Sequence, residues 1–577
     1  MFWQHFLRDA YTDALDVVGY NYKEHLYETD HKRFPGRVIY GSENGHLPEK
    51  WTAVQENPYI CGQFLWTGVD YMGEAMGWPL RVAMPGLLTM AGFEKASYYQ
   101  RKALWTNRLF AVLTARPLNK NQKGIREQQQ EVFSWNFTSG EPVEVSCYPA
   151  KAWYAREGKT LPQAMREIWQ ERENIAERCD SFGKSLLKQA RSIGGEDYGM
   201  LVCASYRQAI AAHKLIADAQ GEPVFLSKEN NSNGCIGTVD VSYPSVPLFL
   251  MYNPELVRAM CRPILHFARC PVWKYEYAPH DVGRYPHATG QVYSLKKHDS
   301  CGPLCESNGP DGVHPPYYLF SENADVYTEK RQMPIEECGN MLLMLAAAVK
   351  ADGNDALVRK ADDLLCKWVN YLAQYGEDPG EQLCTDDFAG HLAHNVNLAI
   401  KAACAVAAYS YLCGKEGRQE DAKKWKKKAK YMADFIVKNA NRSDHTSLTL
   451  DGDASTWSLK YNAVWDLLFD FGLFEPDWYR REIEWYLTKE RMYGIPLDSR
   501  KSYTKSDWLL WTAAMSDRKH FHHFCAPVAR YLRETQSRVP FSDWYETENG
   551  RSVSFIARSV QGGIFMPLLR KSWNISV

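Results

Sequence analysis

The 577 residues carry 68 Lys and Arg against 69 Asp and Glu, a net charge of −1, without the basic excess that nucleic-acid binding requires. The 15 cysteines are odd in number and scattered, several within apolar helical runs, which argues against a disulfide framework. No run approaches the length of a membrane span, and residues 1–8 lack the basic start and apolar core of a signal peptide, so the chain as written reads as cytoplasmic. A chain of this length exceeds one ordinary core, so two or more domains are expected.

Three strand-like runs open the sequence, at 15–22, 37–43 and 59–67, with helical segments between them. That alternation predicts parallel strands, with polar and aromatic residues at their ends. The stretches DVVGYNY, RVIYGSENGH, ICGQFLWTGVDYMGEA and GFEKASYYQRKALW resemble the last part of the catalytic barrel of glycoside hydrolase family 2, the β-galactosidase type. The resemblance implies a nucleophile at Glu43 and a sugar-platform aromatic at Trp66. A retaining glycosidase needs a second carboxyl group about 5 Å away. The family supplies it from an Asn-Glu dipeptide that residues 1–106 do not contain. Only about three of eight barrel strands are present. Residues 1–106 are therefore expected to be an inactive partial barrel, and the chain a fusion or a truncated product. Residues 107–160 read as a linker followed by a β-sandwich remnant, carried by the strand-like runs at 131–137 and 141–148.

From 161 to 577 the pattern is helical, with segments at 163–190, 197–219, 254–268, 334–350, 355–375, 388–411, 420–439, 457–471, 476–492, 506–515, 518–535 and 559–569. Helices apolar on nearly all sides alternate with charged amphipathic ones. The run at 423–430, rich in lysine, is the solvated face of one of the latter. The fold class is thus mainly α: an (α/α)6 toroid with an inner and an outer ring, preceded by the incomplete β/α-barrel fragment.

In such a ring, loops before the inner helices converge on one cleft. The loops at 227–234, 238–245, 278–286, 333–340, 386–387, 458–466, 496–507 and 540–545 almost all offer a carboxylate, an amide or hydroxyl, and an aromatic. Asp387, His391 and His394 or Asn395 have the spacing of one inward helix face. First-turn acids also cap helices everywhere, so for each one alone a structural role is at least as probable. The segment 296–329 reads as a surface insertion. Its His298, Cys301, Cys305 and His314 have weak spacing for zinc.

The patterns SKENNSNG, HDVGRYP, MPIEECGN, TDDFAGHLAHN, PLDSRKSYTKSDW, SDWY and ARSVQGG resemble the glutaminase A-type family over about residues 160–571. The resemblance implies a helical toroid that hydrolyses the side-chain amide of glutamine, a β-sandwich ahead of it where this chain has the barrel fragment, and usual secretion. Such chemistry needs an acid, a base and oxyanion donors. No nucleophile elbow or phosphate-binding loop is present. Glu337 and Asp387 are the expected acid/base couple, with Asp281, Asp386 and Glu336 next. Lys228, Arg500 and Lys505 are expected to hold the substrate carboxylate, with Glu229, Asn230, His280, His391, Asp498, Asp507, Asp543 and Trp544 lining the cleft. No cofactor is expected, although a calcium ion among the acids stays open, and the partner is a small molecule rather than nucleic acid or membrane. The sequence does not fix an oligomeric state. A sugar-cleaving toroid and a non-catalytic binding toroid remain alternatives.

Overall fold

The computed structural model describes residues 15–72, 74, 82–90, 92, 94–105, 143–145, 148–230, 232–285, 287–296, 317–384, 390–537 and 539–575. The chain divides into two units, Met1–Phe133 and Ser134–Val577.

In the first unit, strands Val17–Asn21, Val38–Asn44 and Ile60–Leu65 pair in parallel in chain order. Helices Tyr27–Arg33 and Pro48–Gln55 connect them. Alternate residues Val18, Tyr20, Ile39 and Ile60 point to one face and pack with Tyr27 and Val54 as a small core. The opposite face leaves Val17, Val38 and Phe64 between 40 and 66% exposed. The predicted strands and their parallel pairing are observed, whereas the burial expected of parallel strands is found on one face only. Of the β-sandwich remnant, the short strands Val143–Val145 and Tyr148–Ala152 are described, and they join His213–Ala217 and Pro223–Ser227 in one antiparallel sheet in the second unit. The linker at 106–130 and the strand-like run at 131–137 lie outside the described residues.

The rest of the second unit is a double ring. Its inner members are Val239–Tyr252, Pro334–Asp352, Val396–Lys415, Val464–Phe469 with the 3-10 turn Tyr461–Ala463, Ser506–Ala513, and the 3-10 segment Ser559–Phe565 running into Met566–Ser572. Each contacts the next, and the last returns to the first. The closure is tight: a Cβ on Gly562 would stand 2.5 Å from the Ser245 carbonyl oxygen. The outer members are the second half of Arg172–Ala211, then Pro254–Phe267, Ala356–Tyr375, Gln419–Ala440, Pro476–Leu487 and Phe521–Glu534. The difference between the rings follows from sequence. Ala356–Tyr375 buries only Val358, Ala361, Leu364, Leu365, Trp368, Val369 and Leu372, one stripe at helical spacing, whereas Val396–Lys415 is buried at nearly every position.

Four sequence expectations are corrected. Residues 238–245, read as a loop, are from Val239 onward the first half of the inner helix Val239–Tyr252, which forms despite Pro244 and Pro247 because its apolar side chains are buried all round. The helix expected over 197–219 ends at Ala211, and 213–217 is a strand instead. There Asp218 accepts from the amides of Gln220 and Glu222 and folds a tight hairpin. The helix expected from 388 begins at Val396, where the Asn395 side chain caps the Leu398 amide at 3.1 Å. Gly390 and His394 have positive φ, so His391, His394 and Asn395 do not share a helix face. Finally, Val396–Lys415 is long and apolar enough to cross a membrane. It lies 94% buried within the ring, as the core helix of a helical domain does.

Candidate functional site

At one end of the inner ring, loops and first helical turns bring seven carboxylates and four cationic side chains into one buried polar centre. It has two halves.

The first half is built on Pro334–Asp352 and Val239–Tyr252. Pro334 starts its helix, so Glu336 and Glu337 fall in the first turn, where free backbone amides favour acids. Asn340 donates to Glu336 and to Glu337, each at 3.1 Å. Lys401, from the middle of Val396–Lys415, donates to Glu336 and to the Asn340 side-chain oxygen. Its ammonium also sits 4.4 Å from the Tyr243 ring centre. Glu336 is thereby tied down, whereas Glu337 Oε1 has no hydrogen-bond partner. Burial first, then the charge of Asp240, hold the Glu337 carboxyl well above the ordinary carboxylate range.

His280 faces this pair. Its Nδ1 is 3.0 Å from Asp281 Oδ2, and its Nε2 is 3.6 Å from Asp240 Oδ1. The ring stacks on Tyr293 at 4.1 Å. Asp281 is a fixed anchor, accepting from the backbone amides of Gly283, Val292 and Tyr293. Burial pushes the imidazole down, but the Asp281 hydrogen bond and the charges of Asp240 and Glu337 overcome it and raise it to about 10. Among the described residues, Asp240, His280 and Glu337 also offer ligand atoms within 4.8 Å of one another, the donor types of a divalent-cation site.

The second half is built on the strand pair Tyr503–Lys505 and Trp544–Glu546, in which Lys505 lies opposite Trp544. Lys505 Nζ is 3.1 Å from Asp507 and 3.4 Å from Asp543. Arg558 donates to Asp543 at 3.0 Å and stands 3.9 Å from Glu229. Burial raises Asp507 to about 6 although Lys505 opposes it. Burial and Asp240 raise Glu229. Asn230 Nδ2 donates to the Ala557 carbonyl and ties the Glu229 loop to the Arg558 loop. Gly563 permits the last inner segment to approach this half, since a Cβ there would meet Asp507 Cβ at 3.0 Å and the Pro244 carbonyl at 2.8 Å.

Most of the sequence-predicted residues meet here: Glu336, Glu337, Asp281, His280, Glu229, Lys505, Asp507 and Asp543, with Asn230 and Trp544 on the same loops. Others do not. Asp498 and Arg500 satisfy each other within one loop at 2.6 Å. Lys228, its ammonium lowered to about 8 by burial, lies over the Tyr285 ring. His391 borders a separate cavity of about 470 Å³ with Tyr371, Tyr375 and Gln382, 3.9 Å from Glu381. Asp386 and Asp387 lie outside the described residues, as do His298, Cys301, Cys305 and His314. Glu43 stands half-buried on its strand in the first unit, its carbonyl accepting from the Tyr22 amide. Trp66 there is 37% exposed and donates to Tyr71.

Asp240, Asn340, Lys401 and Arg558 were missed as site residues. Lys401 carried a signal, a lone cation in an apolar helical stretch, and Arg558 stands in the ARSVQGG pattern just ahead of the last inner segment.

Comparison with known proteins agrees with this architecture. Residues 195–568 match the family model described as the glutaminase A six helical-hairpin domain. Glutaminase A of Aspergillus oryzae is 34% identical over 443 residues, 75% of this chain and 58% of that protein. A β-galactosidase of Bacteroides ovatus is 34% identical over 114 residues, 18% of this chain and 11% of that one. A metal-independent α-mannosidase structure from Streptococcus pneumoniae aligns with TM-score 0.44 and 12% identity, covering 69% of this chain and 99% of that one. The chain spans about half the length of the curated glutaminase relatives it matches.

Proposed function

Since the chain belongs to the glutaminase A six helical-hairpin family, we propose that its buried centre hydrolyses the side-chain amide of L-glutamine and releases ammonia. The supporting observation is Glu337: fully buried, one oxygen unpartnered, and its carboxyl pushed well above the ordinary range by burial and by Asp240, beside His280.

The roles follow from position. Asp240, with 17% of its side chain exposed, is the open carboxylate and takes a proton from water as that water attacks the amide carbon. The carbon–oxygen bond forms and the carbonyl electrons move to oxygen. The His280 imidazolium donates to that oxyanion in a site where water does not screen it. Collapse of the intermediate breaks the carbon–nitrogen bond, and Glu337 gives its proton to the departing nitrogen. Asp281 touches no reacting atom; it holds His280 charged and in plane.

The test is ammonia release from L-glutamine, run beside hydrolysis of nitrophenyl glycosides. Ammonia without nitrophenol supports this reading. Nitrophenol without ammonia moves the function to sugar cleavage, and neither product leaves a binding toroid.

A further inference from the structure

Arg558 Nη1 and Glu229 Oε2 are 3.9 Å apart, opposite charges too distant to hydrogen-bond, although 7 and 6% of their side chains are exposed. Left to themselves in so dry a place, a guanidinium and a carboxylate close to direct contact. Here each is anchored elsewhere. Arg558 is held by Asp543, Glu229 by Ser232, and the two loops by the Asn230–Ala557 hydrogen bond. The gap is therefore fixed. Arg558 Nε, on a residue 5% exposed, has no hydrogen-bond partner at all. A buried donor of this kind costs stability unless something accepts from it.

We propose that Arg558 and Glu229 form a clamp for the head of a free α-amino acid, Arg558 taking the α-carboxylate and Glu229 the α-ammonium. The inference rests on the glutaminase reading and narrows it to free glutamine. An N-acylated or peptide-bound glutamine lacks the charge that Glu229 would meet, so the carboxylate would be left buried and unpaired. The clamp also fits the division of the centre, because Asp240 borders Glu229 and Arg558 on one side and His280 and Glu337 on the other. A ligand held by its head at the clamp extends its side chain toward the reacting pair. Lys505, tied to Asp507 and Asp543, shares Asp543 with Arg558 and balances the second carboxylate.

Calorimetric titration with three stable ligands, alongside the ammonia assay, tests this. L-glutamate carries both head charges, glutarate lacks the ammonium, and 4-aminobutanoate lacks the α-carboxylate. The wild type is expected to prefer glutamate over either by about tenfold or more. Glu229→Gln should collapse the preference over glutarate but keep that over 4-aminobutanoate, and Arg558→Gln the reverse. Should Arg558→Gln fail to fold, Glu229→Gln alone decides. Equal binding of all three ligands by the wild type, or a preference over glutarate that survives Glu229→Gln, overturns the clamp. A wild type that shows the preference yet releases no ammonia sinks the catalytic reading and leaves the clamp standing.

Discussion

Lys401 donates to Glu336 from the next inner helix, with 0 and 1% of the two side chains exposed, so one charge pair joins two members of the ring out of reach of water. Removing one partner of such a pair strands the other. Lys401→Met should destabilise the fold by about 3–5 kcal/mol, and Lys401→Met with Glu336→Leu should recover most of that loss. Denaturant unfolding of the single and double variants measures both. A single variant as stable as the wild type contradicts the pairing.

Glu337 gives a pH-dependent signature. A carboxyl raised in the folded state keeps its proton where the unfolded chain, near pH 4.3, has lost it. Protons bound are then greater in the fold, so stability is highest in acid and declines as pH rises from there toward the folded value. Glu337→Gln should flatten that decline and lower kcat by about 100-fold or more. Thermal melts from pH 4 to 8, with kinetics at one pH, check the pair of effects. A variant with full kcat removes Glu337 from the proposed chemistry.

The His280 shift has the same sign and acts higher on the pH scale. An imidazole raised to about 10 contributes stability below its unfolded pKa near 6.5, and that contribution is lost as pH rises through about 10. Asp281→Asn removes the carboxylate that does most to raise it. NMR titration should then find the imidazole titrating lower, and the alkaline limb of kcat should move down with it. A limb that stays in place means Asp281 does not set the charge of His280.

We propose that the first half of the centre works without an ion, His280 and Lys401 supplying its positive charge. Dialysis against EDTA should leave ammonia release within about twofold of the untreated protein. Loss of activity restored by zinc or manganese would instead make Asp240, His280 and Glu337 a cation site.

The sequence made the ring legible because burial has a composition. The Ala-rich 396–415 stretch can be hidden on every side, while the lysine-rich 419–440 stretch can hide only one, and that contrast places them in the inner and outer rings. Glu336 and Glu337 were legible from Pro334, which marks a first turn. The 239–252 helix was not, because Pro244 and Pro247 suggest a break that burial overrides, and Asp240 was lost with it. The pairing of Asp498 with Arg500 was not legible either, because spacing along the chain does not reveal that two opposite charges close on each other. The positions of His391 and His394 depend on backbone turns at Gly390 and His394 that helical periodicity cannot express.

The most direct measurement is ammonia release from free L-glutamine by the full chain and by Glu337→Gln, compared with hydrolysis of nitrophenyl glycosides. The account predicts ammonia from the wild type, at least a hundredfold less from the variant, and no nitrophenol from either. Glycoside hydrolysis, or ammonia release undiminished by Glu337→Gln, would contradict it.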